Sequence, residues 1–400
     1  MLKTINGYWF LPKKTLKLIL SIILVLEISG CLKETPVSDI KSKAVVTKVS
    51  FNQLKGWNND DFKQVISVFS KNCVSIANNK NEFLYSSQIK IKTADYQEIC
   101  RKFTGKNIKT SAQMKKFLED EFYPYAISDE NNPEGKFTSY YEAEIYASFE
   151  KTDKYKYPIY GKPSDLVEIN LRDFDENLPN MRLVGRVKDG KFIPYYNRRE
   201  IEKNGIKAPV IMWGNDLVDI HFMQIQGSAI AHMSDGSDLR VGYADNNGHK
   251  FRGIGGILIS KKMIDSKDAS MVKIREWLRN NPEKAADLMA ENERFIFQRL
   301  SDSDGPLGAM GVPLTAGRSI AVDNNYIPLG AVMWLDTYSP DKKDITRVVF
   351  AQDIGSAIKG VVRGDYFWGH GEEALKEAGR MNSKGKYYIL APKKSGLKVN

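Results

Sequence analysis

Residues 351–369 read AQDIGSAIKGVVRGDYFWG, and no other run says as much about how this chain folds and works. Asp353 ends a predicted buried strand, after which the chain turns at Gly355. Asp365 follows twelve residues later, between Gly364 and three aromatic residues. Glycine lets the backbone turn sharply and approach a ligand closely. The spacing alone leaves two interpretations open: a catalytic pair of carboxylates beside sugar-stacking aromatics, or ordinary turn residues beside core aromatics.

Outside this run the chain alternates between short β-rich segments and a few amphipathic helices. After cap residues at 58–61, apolar residues at 62, 65, 66 and 69 have helical spacing and predict a helix. The same spacing predicts a late helix carrying Ala374, Leu375, Ala378 and Met381. Short strands are predicted at 331–335, 346–352 and 387–390. We expect a mainly β fold with flanking helices, in which a barrel-like domain holds an inserted β-rich domain.

Length and charge narrow the function classes. A chain of 400 residues is too long for one compact core and indicates two or three domains. The net charge is +10, from 59 basic and 49 acidic residues, which suits an anionic cell-wall polymer or lipid surface. Nucleic acid is disfavoured as a partner because the chain has no dense basic stripe and no zinc-ligand spacing. A single apolar segment excludes a polytopic transporter or channel.

The N-terminal segment has the pattern of an export signal. A basic stretch ends at Lys17, the apolar run 18–26 follows, and small residues come directly before Cys31. This order resembles a bacterial lipoprotein signal, and the other interpretation is an uncleaved anchor with a chance cysteine. Leu32, where an aspartate would favour the inner membrane, points to an outer-membrane lipoprotein facing the periplasm. We predict a signal peptide at 1–30, then lipidated Cys31 and a tether to residue 50.

Two further cysteines remain in the chain after this signal. In an oxidising compartment Cys73 and Cys100 form a candidate disulfide, and two separately buried thiols are the other interpretation. No CxxC or CxxH spacing occurs, so neither a zinc site nor a thioredoxin-type site is supported. The four histidines are likewise scattered without metal-ligand spacing. No nucleotide-binding loop occurs, and we expect neither metal nor cofactor.

Several ordered motifs together carry a resemblance to a known family. The 353–369 run resembles the 3D domain of the membrane-bound lytic murein transglycosylase A family, and the upstream blocks follow the family's order. The departures are Ser139 and Ala229 in place of glycine, and Ala143 in place of proline. The matching upstream blocks are FTSYYEAE at 137–144, QIQGS at 224–228, RVGYA at 240–244, NGH at 247–249, PLTAGRSIAVD at 313–323 and IPLG at 327–330.

The resemblance implies an architecture and a reaction. It implies a double-psi β-barrel catalytic domain built from 51–140 plus 245–400, with the 3D domain at about 300–395 and an inserted domain at 141–244. The implied substrate is the glycan strand of peptidoglycan, cut between N-acetylmuramic acid and N-acetylglucosamine to leave a 1,6-anhydromuramoyl end. Other cell-wall enzymes are candidate partners. An inverting glycoside hydrolase and a non-catalytic wall-binding protein are the alternatives.

The resemblance also implies which residues do the chemistry. The family's catalytic aspartate falls on Asp365, with Asp353 as its partner, and Glu142 and Glu144 are the other candidate carboxylates. One acid suffices for an intramolecular reaction, because the sugar's own C6 hydroxyl is the nucleophile. Inverting hydrolysis would need two carboxylates and a water. The predicted substrate-binding residues are Thr138, Tyr140, Tyr141, Gln226, Ser228, Lys359 and Arg363.

Overall fold

A computed structural model describes residues 42–84, 86–130, 132–179 and 181–399. The predicted signal peptide and Cys31 lie outside the described residues. The helices are α1 (Phe62–Ala77), α2 (Thr93–Gly105), α3 (Ser111–Glu121), α4 (Arg198–Asn204), α5 (Leu217–Gln226), α6 (Ile254–Ser260), α7 (Met271–Asn280), α8 (Pro282–Met289) and α9 (Gly371–Ala378). Short 3₁₀ turns occupy Phe51–Gln53, Trp57–Asn59, Leu171–Asp173 and Ser266–Asp268.

The strands account for most of the remaining regular structure, so the expected mainly β fold with flanking helices is confirmed. Their bounds are β1 (Ala44–Lys48), β2 (Ile89–Lys90), β3 (Phe122–Asp129), β4 (Gly135–Ser148), β5 (Tyr157–Tyr160), β6 (Val167–Asn170), β7 (Arg182–Lys188), β8 (Lys191–Pro194), β9 (Val210–Gly214), β10 (Ala229–Met233), β11 (Asp238–Asn246), β12 (Ile296–Ser301), β13 (Ser319–Val322), β14 (Val332–Tyr338), β15 (Asp344–Ile354), β16 (Arg363–His370), β17 (Ser383–Pro392) and β18 (Lys398–Val399).

Six of these strands close into a barrel. Hydrogen bonding runs in the order β17, β14, β15, β13, β16 and β4, and β4 then pairs with β17 to complete the ring. The β13–β15 and β16–β4 pairs are parallel, whereas the other pairs in the ring are antiparallel. Closure removes the exposed edges of this part of the sheet. The strands predicted at 331–335, 346–352 and 387–390 are confirmed as parts of β14, β15 and β17.

Strand β4 continues past the barrel into a second sheet. Its first half pairs with β16, and residues 143–147 pair with β10. Strands β11 and β12 follow β10, and β5 and β9 lie on the other side of β4. A separate three-stranded sheet contains β6, β7 and β8. Strand β4 therefore runs through both the barrel and this second sheet. The predicted domain boundaries stay a prediction.

The helix predicted after residue 58 is confirmed as α1. The carboxylate of Asp61 accepts a hydrogen bond from the backbone N–H of Lys63 and caps the helix. Its apolar stripe packs on the barrel, where the rings of Phe69 and Phe350 lie 6.2 Å apart. Cys73 of this helix is joined to Cys100 of α2 by a disulfide, with the two Cα atoms 5.5 Å apart.

Three local details complete the fold. Residues 44–48, assigned to the tether in the sequence analysis, instead form β1. They pair with β3 because Ala44 is buried there and the backbone of β1 forms hydrogen bonds with the backbone of β3. The late helix ends at Ala378, so its predicted extension to Met381 is wrong: Met381 packs into the barrel core instead. No helix in the described part of the chain is long and apolar enough to cross a bilayer.

Residues 43–400 form one compact unit. The largest core cluster joins α1, α2 and α3 to the inside of the barrel. A second cluster lies beneath β4, β10 and α9, and two smaller ones lie under α5–α8 and around Phe295 and Phe297. The apolar residues of all four clusters belong to this unit, so it carries its own hydrophobic cores.

Candidate active site

The two aspartates singled out in the sequence lie on either side of one central strand. On β13, Ala321 is paired with Asp353 of β15 on one side and with Asp365 of β16 on the other. Asp365 is paired in turn with Thr138 of β4. Residues paired across neighbouring strands share a face of the sheet, and two strand spacings separate the aspartate backbones by about 10 Å. The barrel thus places Asp353, Asp365 and Thr138 in one row.

Asp365 is half-buried and held by a hydroxyl group. The Thr138 hydroxyl donates a short hydrogen bond to Oδ1 of Asp365, and Nη2 of Arg363 donates to the same Thr138 oxygen at 2.7 Å. Burial raises the pKa of the Asp365 carboxyl, whereas the Thr138 hydrogen bond and the charge of Arg363 oppose that rise. The net direction is upward because loss of solvation outweighs both. A carboxyl in this environment keeps its proton to a higher pH than a free aspartate.

Asp353 is also half-buried, and three donors surround its carboxylate. The Tyr140 hydroxyl donates to Oδ2 at 2.9 Å, and the backbone N–H groups of Ala309 and Ile354 donate to Oδ1 at 3.0 and 2.9 Å. Burial raises the pKa of Asp353 to about 6 in spite of these donors, and the negative charge of Asp365 adds to the rise. Both carboxyls therefore titrate above the ordinary aspartate range of about 3.9.

The aromatic residues after Asp365 divide between the two faces of β16. Phe367 is on the same face as Asp365, and its ring lies 5.1 Å from that of Tyr140, which is paired with it on β4. Tyr366 points the other way and is buried in the barrel core, and Trp368 meets it edge-on at 5.0 Å. Because side chains alternate along a strand, one aromatic run supplies both an apolar wall for the site and packing for the core.

The predicted site residues fall into two groups. Thr138, Tyr140 and Arg363 gather around the two aspartates, as described above. Lys359 lies in the β15–β16 loop with a side chain that is 60% exposed, 3.7 Å from Asp323. The remaining three predicted residues are held by other hydrogen bonds. The buried Tyr141 side chain receives a hydrogen bond from Arg275, and Oε1 of Gln226 accepts one from the Tyr141 N–H. Ser228 is buried, and its carbonyl accepts from the Ala143 N–H.

Glu142 is unsuited to act as a second acid. Its side chain is 1% exposed and pairs with Arg240, with Nε 2.7 Å from Oε1. Nη2 of Arg240 also donates to Oε2 of Glu142 at 3.3 Å, so both carboxylate oxygens are engaged in this buried ion pair. Glu144 lies further along β4, with its carboxylate 3.9 Å from the ring of His232.

Sequence reasoning missed the loop around Ala309, which donates a backbone hydrogen bond to Asp353. The Ala309 N–H reaches Asp353 because Gly308 lies against the backbone of β15: a Cβ atom at Gly308 would come within 2.4 Å of the Gln352 carbonyl oxygen. The glycines at 308 and 311 are the only signal in the sequence, and their partner is distant in the chain. A second contact of this kind joins the Gly360 N–H to Asp323 at 2.9 Å.

Two further features bear on the candidate site: metal-ligating side chains and cavities. Among the residues that the structure describes, no group of three His, Cys, Asp or Glu side chains could hold a metal ion. A cavity of about 500 Å³ lies between α5, α8 and β5, lined by Tyr157, Tyr160, Ile220, Gln224 and Phe295 among others. Neither aspartate is among the residues that line this cavity, and both side chains are half-buried.

Comparison with known proteins identifies the origin of this site. Two family models match: the MltA specific insert domain over residues 136–299 and the 3D domain over residues 318–391. The crystal structure of MltA from Neisseria gonorrhoeae superposes with a TM-score of 0.77 at 31% identity, covering 89% of this chain and 95% of that one. The membrane-bound lytic murein transglycosylase of Agrobacterium tumefaciens gives 0.77 at 30% identity, covering 87% and 97%.

A curated sequence relative points the same way over a shorter region. Membrane-bound lytic murein transglycosylase A of Escherichia coli K12 is 30% identical over 264 residues. That alignment spans 64% of this chain and 65% of the relative. The resemblance drawn from the sequence motifs is confirmed, and the chain belongs to the membrane-bound lytic murein transglycosylase A family.

Proposed function

We propose that this protein is a lytic transglycosylase that cuts the β-1,4 bond between N-acetylmuramic acid and N-acetylglucosamine in peptidoglycan. The product is a 1,6-anhydromuramoyl end, and Asp365 is the general acid and base. The observation that carries the proposal is the environment of Asp365. Its half-buried carboxyl has a raised pKa, accepts a hydrogen bond from Thr138 and is separated from Asp353 by the single strand β13. The relatives named as lytic murein transglycosylases support lytic transglycosylase activity.

The hydrogen bonds around Thr138 determine which oxygen of Asp365 carries the proton. Arginine has donors only, so the Thr138 oxygen must accept from Arg363. The Thr138 hydrogen is then directed at Oδ1 of Asp365, which acts as an acceptor. The proton of the neutral carboxylic acid therefore belongs on Oδ2. Arg363 and Thr138 thus position the acid, and Arg363 lies close enough to assist in binding an acidic substituent of the sugar.

One carboxyl can serve both halves of the reaction. Asp365 Oδ2–H protonates the glycosidic oxygen as its bond to C1 of the muramoyl residue breaks, and the N-acetylglucosamine hydroxyl leaves. The C6 hydroxyl of the same muramoyl residue then attacks C1, and the Asp365 carboxylate takes its proton. The acid is regenerated and no water is consumed. A carboxyl whose pKa lies above the ordinary range suits both steps, because it can be protonated for the acid step and ionised for the base step.

Asp353 and the nearby aromatic rings support this chemistry. Asp353 is electrostatically coupled to Asp365, because the negative charge of Asp365 adds to the rise in the pKa of Asp353. The ring of Tyr140, backed by the buried ring of Phe367, provides an apolar wall on the same face against which a sugar ring can stack. Lys359 is exposed enough to meet the carboxylates of a peptide stem.

Digestion of purified sacculi tests the proposal. The expected muropeptides are lighter by one water than hydrolysis products and have no reducing end. An inverting hydrolase would release reducing ends and would need both aspartates equally. A non-catalytic wall-binding protein would sediment with sacculi and release nothing. Either result contradicts the proposal.

We propose in addition that the protein is an outer-membrane lipoprotein anchored through Cys31. The order of basic, apolar and small residues before Cys31 supports this assignment. The Cys31→Ala variant should accumulate as unprocessed precursor without incorporating labelled palmitate. Normal processing and labelling of that variant would contradict the anchor and leave the enzymatic proposal untouched.

A further inference from the structure

A group of lysines surrounds the point where the chain enters the compact unit. Strand β1 is the edge strand at which this unit begins, and it pairs with β3. Strands β2 and β18 lie next to it. We call the cluster on this edge the entry patch, and it consists of Lys48, Lys90, Lys393 and Lys398 with the tyrosines Tyr123 and Tyr125.

The lysines of the entry patch lie close to one another in pairs. Lys90 and Lys398 are directly opposite in the β2–β18 ladder. The ammonium groups of Lys48 and Lys393 both approach the ring of Tyr123, at 3.2 and 5.1 Å from its centroid. Like charges directly opposite each other destabilise a sheet. Such an arrangement is relieved by an anionic partner.

Acidic side chains near this edge are mostly engaged elsewhere. Asp95 and Glu98 are paired with Lys394, and Glu98 and Glu121 with Lys102. Asp129 is opposite Ala44 at the far end of β1, away from Tyr123. Lys48, Lys393 and Lys398 of the entry patch are exposed, and Lys90 is half-buried with its ammonium group 5.6 Å from the centroid of the Phe83 ring.

The position of the patch in the chain indicates its partner. Cys31 precedes Lys43 by twelve residues, a distance of at most about 40 Å when fully extended. With Cys31 acylated, this edge is held near the bilayer. Tyrosines are enriched at the headgroup level of membranes, and lysines are attracted to anionic lipid. We propose that the entry patch binds the anionic surface of the membrane and orients the barrel on it. This inference rests on the proposed anchor and not on the proposed chemistry.

Vesicle sedimentation of residues 43–400, which carry their own cores and lack the anchor, tests the inference. The unit should bind vesicles of phosphatidylcholine mixed with phosphatidylglycerol, more weakly as salt rises, and should not bind phosphatidylcholine alone. A lysine near an anionic surface changes binding about five-fold, so K90Q/K398Q should bind about 25-fold more weakly. Its melting temperature should stay the same or rise, because the opposed charges are gone.

The chain offers a matched control in the β7–β8 hairpin. Lys188 and Lys191 are also directly opposite and exposed, but they belong to the separate three-stranded sheet. K188Q/K191Q removes the same charge and should bind vesicles as the unmodified unit does. Equal weakening of both double variants, or equal binding to neutral vesicles, would overturn the inference.

A third outcome would identify a different partner. Should K90Q/K398Q lose affinity for purified sacculi while keeping its affinity for vesicles, the patch binds wall polymer and the membrane assignment is wrong. Release of soluble muropeptides should be the same for both double variants. A failure of the catalytic proposal would instead show as no release by any form of the protein, so the two are distinguishable.

Discussion

Two buried carboxyl regions of the same barrel have opposite surroundings. Asp60 is 3% exposed and faces Arg318, which is 2% exposed, through two N–H···O bonds of 2.8 Å. The Val348 N–H adds a third bond at 2.8 Å. Asp365 has a hydroxyl donor instead, and its nearest guanidinium, Arg363, is bonded to that hydroxyl. The Asp60 carboxylate is therefore committed to a buried ion pair, whereas Asp365 contacts its guanidinium only through a hydroxyl and burial raises the pKa of its carboxyl.

The largest expected effect is on catalysis. Asp365→Asn keeps the shape of the side chain but removes the proton carrier, so muropeptide release should fall by about 10²–10⁴-fold or more. Binding to sacculi and the melting temperature should be retained, because burial already disfavours the charged carboxylate. Asp353→Asn should lose less activity, and Asp302→Asn, a change at an exposed loop residue, should lose none. Retained activity in Asp365→Asn would end its assignment as the acid.

Asp60→Asn should lower the free energy of unfolding and should not act on the catalytic step. The change leaves the buried Arg318 guanidinium without its carboxylate, which typically costs about 3–5 kcal/mol. Urea unfolding measures the loss. Asp61→Asn is the matched control, since Asp61 caps α1 and asparagine caps a helix about as well as aspartate. Were Asp60→Asn as stable as the unmodified protein, the contrast between the two regions would fail.

The pH dependence of stability tests the raised pKa of Asp353. The pKa of Asp353 is about 6 in the folded protein and about 3.9 unfolded, so between these values the folded state binds more protons. Its contribution to stability is greatest at low pH and is lost as pH rises from about 4 to about 6. In Asp353→Asn, the loss of unfolding free energy over this pH range should be smaller by about 1–3 kcal/mol. Urea midpoints measured across that range give the comparison, and identical profiles would contradict the raised pKa.

The smallest expected effect concerns the hydroxyl beside Asp353. Tyr140→Phe removes a 2.9 Å bond that favours the carboxylate, so the pKa of Asp353 should rise further above about 6 while the ring contact with Phe367 remains. Activity should change by less than about tenfold, because this hydroxyl transfers no proton. Carboxyl NMR titration follows the pKa. In Tyr141→Phe, whose hydroxyl bonds Arg275, the Asp353 titration should not move.

Much of the site could be predicted from local sequence because its residues are close in the chain or in recognisable blocks. The 353–369 run contains both aspartates, and the 137–144 block contains Thr138 and Tyr140. Helix α1 was predictable because its cap and apolar spacing are local. The role of Ala309 was not, because its N–H meets Asp353 across 44 residues of sequence.

The sequence by itself determined the family and the mainly β fold and singled out the two aspartates as candidates, since motif order and side-chain periodicity are properties of neighbouring residues. Only the tertiary structure decided how they differ from Asp60 and Glu142. All four are acidic residues of ordinary type, but Arg318 and Arg240 reach two of them from distant strands and loops. Burial and the placement of charge depend on which strands the barrel brings together, and these set which carboxyl can carry a proton.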